Sequence, residues 1–416
     1  MAKSAPPRKK RSVLKSKSGD SFLGYRRPSG GPGARNHLAV VSAMDNTNPL
    51  VSRICSLRSD LIAVNTSFGR ALMGEDEAQH FRVMGHLAGH PNVGAAIIVG
   101  LEPITAGAIA EAAAKASPWM PIEVVTIHEV GGTLKSTSRA LELAGKVAAH
   151  LSASRRERCG LDELILGAEC GGSDTTCGLV SNPVTGLVAD RVVNAGGTVI
   201  FSETLEIVGA EHLLARKAAD AKTKRRILAG VRRSLEYTEE LGVDLIGSNP
   251  TADNIAGGLS SIEEKSLGAY AKSGQSAIKG LLKPGDQPPE GGLYLLDIVP
   301  DGEPRFGFPS INDNQEIAEL MASGCQVILF TTGRGSVVGS AVAPVIKVCA
   351  NPQTYRNLAD DMDVNAGRIL EGEASLSEVG EEIRDLVRAV AGGARSRSEA
   401  LGHREFVLGY KSFEPI

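Results

Sequence analysis

The sequence predicts an α/β protein with two domains, each built on a mainly parallel sheet flanked by helices. Short runs rich in Val, Ile and Leu recur along the chain, bounded by Gly, Pro, Asn and Asp. Between them lie longer stretches with apolar residues three and four apart, the spacing of a helix with one buried face. The two patterns alternate over most of the chain. Strands separated by helical crossovers pair in parallel and place the helices on the faces of the sheet. At 416 residues the chain is long enough for two or three domains and for a large core without disulfides.

Taken in order, residues 1–20 read as a disordered basic tail. Seven of the 45 basic residues fall in its first 19 positions, which contain no acid. The first α/β domain is placed at residues 21–151. Its strands are "HLAVVSA", "DLIAV", "GAAIIVG" and "IEVVTI"; its helices run over 75–87, 105–115 and 133–151. The polar, arginine-rich "SASRRERCG", 152–160, reads as a linker.

A second, larger domain is placed at 160–410. "LILGA", "GTVIFSE", "GLYLLDI", "CQVILFT" and "APVIKVCA" read as strands, "PVTGLVADRVVNAG" as a helix, and 212–241 as a long helix or helix pair. Segments 247–292 and 299–313 are rich in Gly, Pro, Asn and Ser and read as long loops, which are more often functional than idle.

Composition excludes several classes. No apolar run reaches the roughly 18 residues of a membrane helix, and the N-terminus lacks the apolar segment of a secretory signal, so a cytoplasmic protein with no membrane partner is expected. Outside the tail, 38 basic residues face 48 acidic ones and aromatics are only 4% of the chain, so no nucleic-acid partner is expected. The six cysteines form no CxxC pair, which fits reduced thiols rather than a zinc site.

Ligands of open α/β sheets bind where strands end, which directs attention to the loops after the apolar runs. "ECGGSDTTCG" places Glu169, Cys170, Gly171, Gly172, Ser173 and Asp174 after a strand, with Cys177 beyond. "TTGRGS" places Gly333, Arg334, Gly335 and Ser336 after another. Repeated glycines let backbone N–H groups face an anion, and the arginine fork suits a carboxylate. Neither loop has the spacing of a nucleotide fingerprint, so a small carboxylate ligand is the better reading. "SETLEIVGAEH" gathers Glu203, Glu206, Glu211 and His212, groups suited to proton transfer or to a hard cation. Of these, Glu203 follows the apolar run and is expected to be buried, whereas Glu206 and Glu211 read as surface charges at a helix start. Cys170 and Cys177 read either as thiolate metal ligands or as small buried hydrophobes.

Read together, "ECGGSD", "NPVTG", "AGGTVIFSETLEIVGAEHLLARKA", "NPTADNIAGGLSSIEEKSLGAYAKSG", "FTTGRGSVVGSAVAPVIKV" and "DDMDVNAGRILEGEAS" resemble the large chain of the altronate/galactarate dehydratase family, which includes the large subunit of sulfolactate sulfo-lyase. The resemblance runs from about Phe22 to Phe406. It implies a lyase that removes water, or sulfite, from a 2-hydroxy acid with a divalent metal, usually Fe2+. It also implies a small SAF-type domain, here expected as a separate partner subunit, and a homo-oligomer. On this basis Glu169, Glu203, His212 and Lys265 are candidate catalytic groups. Residues Gly171 to Asp174 and Gly333 to Ser336 are candidates for binding the substrate carboxylate.

The first domain departs from the family pattern. Asp45 or Asn46 stands near a usual Cys, Asn65 and Phe68 replace a His and a Cys, and "GLEPI" replaces a Gly-Leu-Gly-Cys-Glu turn. Three soft ligands are lost together, which implies either a shift toward oxygen ligands, with Cys170, Asp45 and Glu102 as the candidate metal set, or loss of the metal. Function is therefore expected to be dehydration of a sugar acid to a 2-oxo-3-deoxy acid. The alternatives are release of sulfite from sulfolactate and a non-catalytic carboxylate binder.

Overall fold

The computed structural model describes residues 20–202, 204–299 and 312–409. The basic tail lies outside them except for Asp20, as does most of segment 299–313. After β1 (Ser21–Tyr25), strands β2 (His37–Ser42), β3 (Leu61–Val64), β4 (Val93–Gly100) and β5 (Ile122–Thr126) form a parallel sheet in the order β3-β2-β4-β5. Every residue of β4 is buried, as a central strand covered on both faces requires.

Alternate residues of these strands serve different cores. Leu38, Val40, Ile97 and Val99 pack on helices Asn48–Ser56 and Thr133–Leu151. Ala39, Val41, Ala96 and Ile98 face helices Glu75–Ala88 and Pro103–Ala116, in a core continuous with the second sheet. The second face thus joins the two halves of the molecule.

Strand β6 (Arg156–Gly160) turns back to pair antiparallel with β1. Its residues are expected to form a linker; they are polar because this two-stranded ribbon leaves Glu157 and Arg158 exposed and Arg156 half-buried, with Cys159 alone of the strand buried. Then follow β7 (Ile165–Cys170), β8 (Thr198–Phe201), β9 (Ile278–Leu282), β10 (Gly292–Leu296), β11 (Val327–Thr332), β12 (Val345–Cys349) and β13 (Val364–Asn365). They make a parallel sheet in the order β13-β12-β11-β7-β8-β10-β9. The fold is therefore α/β with two parallel sheets flanked by helices.

The long segment 247–292 is not a loop. It holds helices Ala252–Ala256 and Ile262–Lys272 and strand β9. Its Thr, Ser and Asn are helix caps: Thr251 accepts from the Asn254 N–H, and Ser261 from that of Glu264. The helical pattern over 212–241 breaks into Glu211–Arg216 and Ala221–Glu240, with Asp220 capping the second by accepting from Thr223 N at 2.7 Å.

Several buried polar contacts lock the halves together. Arg35 donates through Nε and Nη2 to Glu399, at 2.8 and 2.7 Å, and to the carbonyls of Ala34, Val390 and Ala394. The Asn92 amide accepts from Ala34 N and donates to Gln326 O and Val342 O. Every donor is used, as buried polar groups require.

Candidate active site

In the larger sheet, β8 lies on one side of β7 and β11 on the other, so the order in which strands are added switches sides between β7 and β11, although both run parallel. That switch opens a crevice beyond the C-terminal ends of those two strands, the usual ligand position in such sheets. The loops that leave β7 and β11 are the two glycine-rich loops singled out from the sequence.

They interlock through the backbone. Gly171 N donates to Thr331 O at 3.0 Å, while Gly172 O accepts from Arg334 N at 2.8 Å and Gly333 N at 3.2 Å. Gly172 has φ +58°, and a side chain there would press on Gly335 O. The carboxylate of Asp174 fills the space where a Gly333 side chain would begin. Its Oδ1 accepts from Thr176 N at 2.8 Å and Cys177 N at 3.3 Å, and its Oδ2 from Asn351 Nδ2 at 3.0 Å. Asp174 therefore organises the loops rather than awaiting a ligand.

Above the crevice lies a cavity of about 180 Å³. Cys170, Ser173, Asp174 and Cys177 form one wall; Glu206, Leu259, Lys265 and Gly268 form the other. Lys265 projects from helix Ile262–Lys272, where it is almost wholly buried. Its ammonium donates to Asn249 Oδ1 at 3.0 Å and Asn254 Oδ1 at 3.3 Å, and lies 2.6 Å from Glu206 Oε1. Burial works against this charge, but the Glu206 carboxylate outweighs it and holds the lysine above its ordinary pKa. Glu206, read from sequence as a surface charge, is buried because its turn, Thr204–Glu206, folds under the cavity along with Leu205 and Ile207.

Behind the loops sits a group of acids that the sequence reading missed. Helix Asp313–Ala322 is buried throughout from Gln315 to Ala322 and brings Asp313, Glu316 and Glu319 inward. No local signal marks them, since Gln315, Glu316 and Glu319 share one helix face at a spacing that reads as a solvated stripe. Glu169, at the end of β7, is 2% exposed, and burial together with the charge of Glu316 holds its carboxyl well above the usual range. Burial also raises Glu316, and burial with Glu316 raises Asp313 to about 7. Burial and the charges of their neighbours thus shift all three carboxyls toward the protonated form.

The other expected site residues are distributed differently. Arg334 does not line the cavity; its side chain is 40% exposed, 3.9 Å from the Asp253 carboxylate. Ser336 accepts from Val338 N. His212 is exposed on helix Glu211–Arg216 and does not line the cavity, because the helix buries Leu214 and Ala215 instead. Glu203 lies outside the described residues.

The expected metal set is not brought together. Asp45 is paired with Arg70 at 2.9 Å, and Glu102 caps helix Pro103–Ala116 by accepting from Ile104 N and Thr105 N. Cys170 belongs to the other sheet and is engaged with Ser173. Among the described residues no three His, Cys, Asp or Glu side chains gather as a metal site. These side chains therefore do not fit the iron centre that the resemblance implies. Among the described residues, no helix is long and apolar enough to cross a membrane.

Comparison with known proteins gives the site its context. Residues 161–413 match the sequence family described as D-galactarate/altronate dehydratase, C-terminal, and residues 24–152 match the second domain of D-galactarate dehydratase/altronate hydrolase. The chain is 35% identical over 395 residues to (2R)-sulfolactate sulfo-lyase subunit beta of Chromohalobacter salexigens, covering 94% of this chain and 97% of that protein. It is 36% identical over 255 residues to galactarate dehydratase (L-threo-forming) of Escherichia coli, covering 61% and 46%. Against altronate dehydratase of Bacillus subtilis identity is 28% over 400 residues, covering 93% and 77%. Both halves of the molecule thus match the same group of proteins, and the chain belongs to the D-galactarate/altronate dehydratase family.

Proposed function

We propose that the chain is the large subunit of a lyase that dehydrates a sugar acid or related 2-hydroxycarboxylate to a 2-oxo-3-deoxy acid. The observation that carries this reading is the Lys265–Glu206 pair, buried in a cavity at the strand-order switch of a dehydratase-family sheet. Removing the proton at C2 of such an acid builds negative charge on its carboxylate. A fixed cation in a dry pocket stabilises that charge more than it stabilises the resting substrate. Lys265 supplies the cation, and Arg334, from the loop packed on Gly172, reaches over to hold the carboxylate. Glu206 takes the C2 proton, and the protonated acids behind the loops, Glu169 among them, return a proton to the hydroxyl leaving C3. The enol so formed relaxes to the 2-oxo acid.

A second reading is supported by the comparison with the sulfo-lyase subunit, which this chain matches over nearly its whole length. There the group leaving C3 is sulfite, and the C2 chemistry is unchanged. The name of that relative, a subunit beta, also supports a separate partner subunit. The test is to incubate the purified chain, alone and with a candidate small subunit, with aldonates, aldarates and sulfolactate, following 2-oxo acid and sulfite separately. A 2-oxo acid without sulfite supports the dehydratase; both together support the sulfo-lyase. Neither, with any acid, overturns the lyase reading.

A further inference from the structure

The six cysteines are all free, and one of them sits in surroundings unlike the others. Burial pushes Cys55 and Cys349 up to about 11 and raises Cys159 and Cys325 as well, so these thiols stay protonated and inert near neutral pH. Cys170 differs. The Cys177 thiol donates to its sulfur, Lys272 lies nearby, and the Ser173 hydroxyl is 3.1 Å from Sγ. Together these outweigh burial and bring Cys170 down to about 6, while donation to Cys170 pushes Cys177 upward. Both cysteines line the 180 Å³ cavity, and Cys170 keeps 7% of its surface exposed. The two cysteines therefore line one pocket, with the Ser173 hydroxyl beside Cys170.

We propose that Cys170 and Cys177 form a dithiol modification site, in which Cys170 reacts with hydroperoxides and Cys177 closes an intrachain disulfide. The Cys170 thiolate attacks the distal peroxide oxygen, the O–O bond breaks, and the alkoxide or hydroxide leaves with a proton, giving a sulfenic acid. The Cys177 sulfur then attacks that sulfur. Its proton and the hydroxyl leave as water, so two thiols are oxidised and one peroxide is reduced. Oxidation removes an anion from the cavity wall and ties the β7 loop to the turn that starts helix Asn182–Asn194. The site does not depend on the lyase reading.

The test uses the full reduced chain. Limiting iodoacetamide is applied from pH 5 to 9, and the alkylated residues are mapped by mass spectrometry. Cys170 is expected to be labelled first, with a midpoint near pH 6, and at least about tenfold faster than the more exposed Cys55 at pH 7. Stoichiometric hydrogen peroxide should then make the peptide spanning 159–191 about two mass units lighter, with Cys159 still alkylatable. Cys177→Ser keeps a donor but removes the resolving thiol, so it should leave a Cys170 sulfenic acid that dimedone traps. Circular dichroism checks that the variant is folded. Labelling of Cys170 no faster than Cys55 at pH 7, or peroxide that leaves both thiols alkylatable, overturns the proposal.

Discussion

The carboxylate of Asp174 occupies the position that a β-carbon on Gly333 would need, so these two residues, from loops on adjacent strands, fit only as an acid against a bare backbone. Because Asp174 is fixed by Thr176, Cys177 and Asn351, it has no free direction in which to yield.

Gly333→Ala is therefore expected to destabilise the protein by about 1–3 kcal/mol, the usual cost of forcing a methyl group into filled space. Urea unfolding measures it. The same-size control is Gly107→Ala in helix Pro103–Ala116, where no atom lies within contact distance of an added methyl, and it should raise the urea midpoint slightly because alanine favours a helix over glycine by about 0.5–1 kcal/mol.

Lys265 and Glu206 are both nearly enclosed, so removing one leaves the other charged in a poor solvent for charge. Lys265→Met is expected to cost about 3–5 kcal/mol, the range for breaking a buried pair from one side. The double variant Lys265→Met/Glu206→Leu should recover much of that loss. Additive losses in urea unfolding would show that the two side chains do not depend on each other.

Arg35 ties the first half of the molecule to the C-terminal helices through Glu399 and three carbonyls. Arg35→Met should lose about 3–5 kcal/mol. Arg35→Lys should not rescue it, because one ammonium cannot reproduce the two-pronged contact. Burial is the largest single influence on the Glu399 carboxyl and raises it, but the hydrogen bonds and charge of Arg35 together with the Ser396 N–H outweigh burial, so its pKa falls below the ordinary value. This contribution is present above the ordinary carboxylate range and is lost as pH falls through the lower folded value. The Tm difference between wild type and Arg35→Met should shrink accordingly in acid.

Glu319 behaves in the opposite sense. Burial raises it to about 8, with the Gln315 amide donating at 3.0 Å as a partial offset. A carboxyl raised in the folded state favours folding below its unfolded pKa and loses that contribution as pH rises through the folded value. Glu319→Gln should therefore match wild type more closely at pH 5 and exceed it in Tm at pH 8.5. A Tm gap that stays constant between those pH values would show that Glu319 is not titrating there.

The alternation of apolar runs with helical spacing was sufficient to find the sheets, because a parallel strand buried on both faces leaves a continuous signal, as in "GAAIIVG" and "QVILF". Helix Thr133–Leu151 shows its buried face directly through Ala140, Leu143, Ala144 and Val147. Local composition misled where one residue type serves two purposes. The Ser, Thr and Asn of 247–292 were read as loop formers and are helix caps, and the arginines of 152–160 belong to a strand. The glycine-rich loops were visible because strand ends carry sites in this type of sheet. The acids behind them were not, since nothing local distinguishes a buried Glu316 from a solvated one. Only the packing of a whole helix between the two halves decides it.

The most direct measurement is the fate of deuterium at C2 of galactarate, altronate and sulfolactate, followed by NMR with the chain and a candidate small subunit in ordinary water. The account expects the deuterium to be released to water and C3 of the 2-oxo acid to take up solvent hydrogen with at least one of these acids, and no release with Glu206→Gln. Product carrying the deuterium at C3, moved there from C2, or wild-type rates in Glu206→Gln, would contradict it.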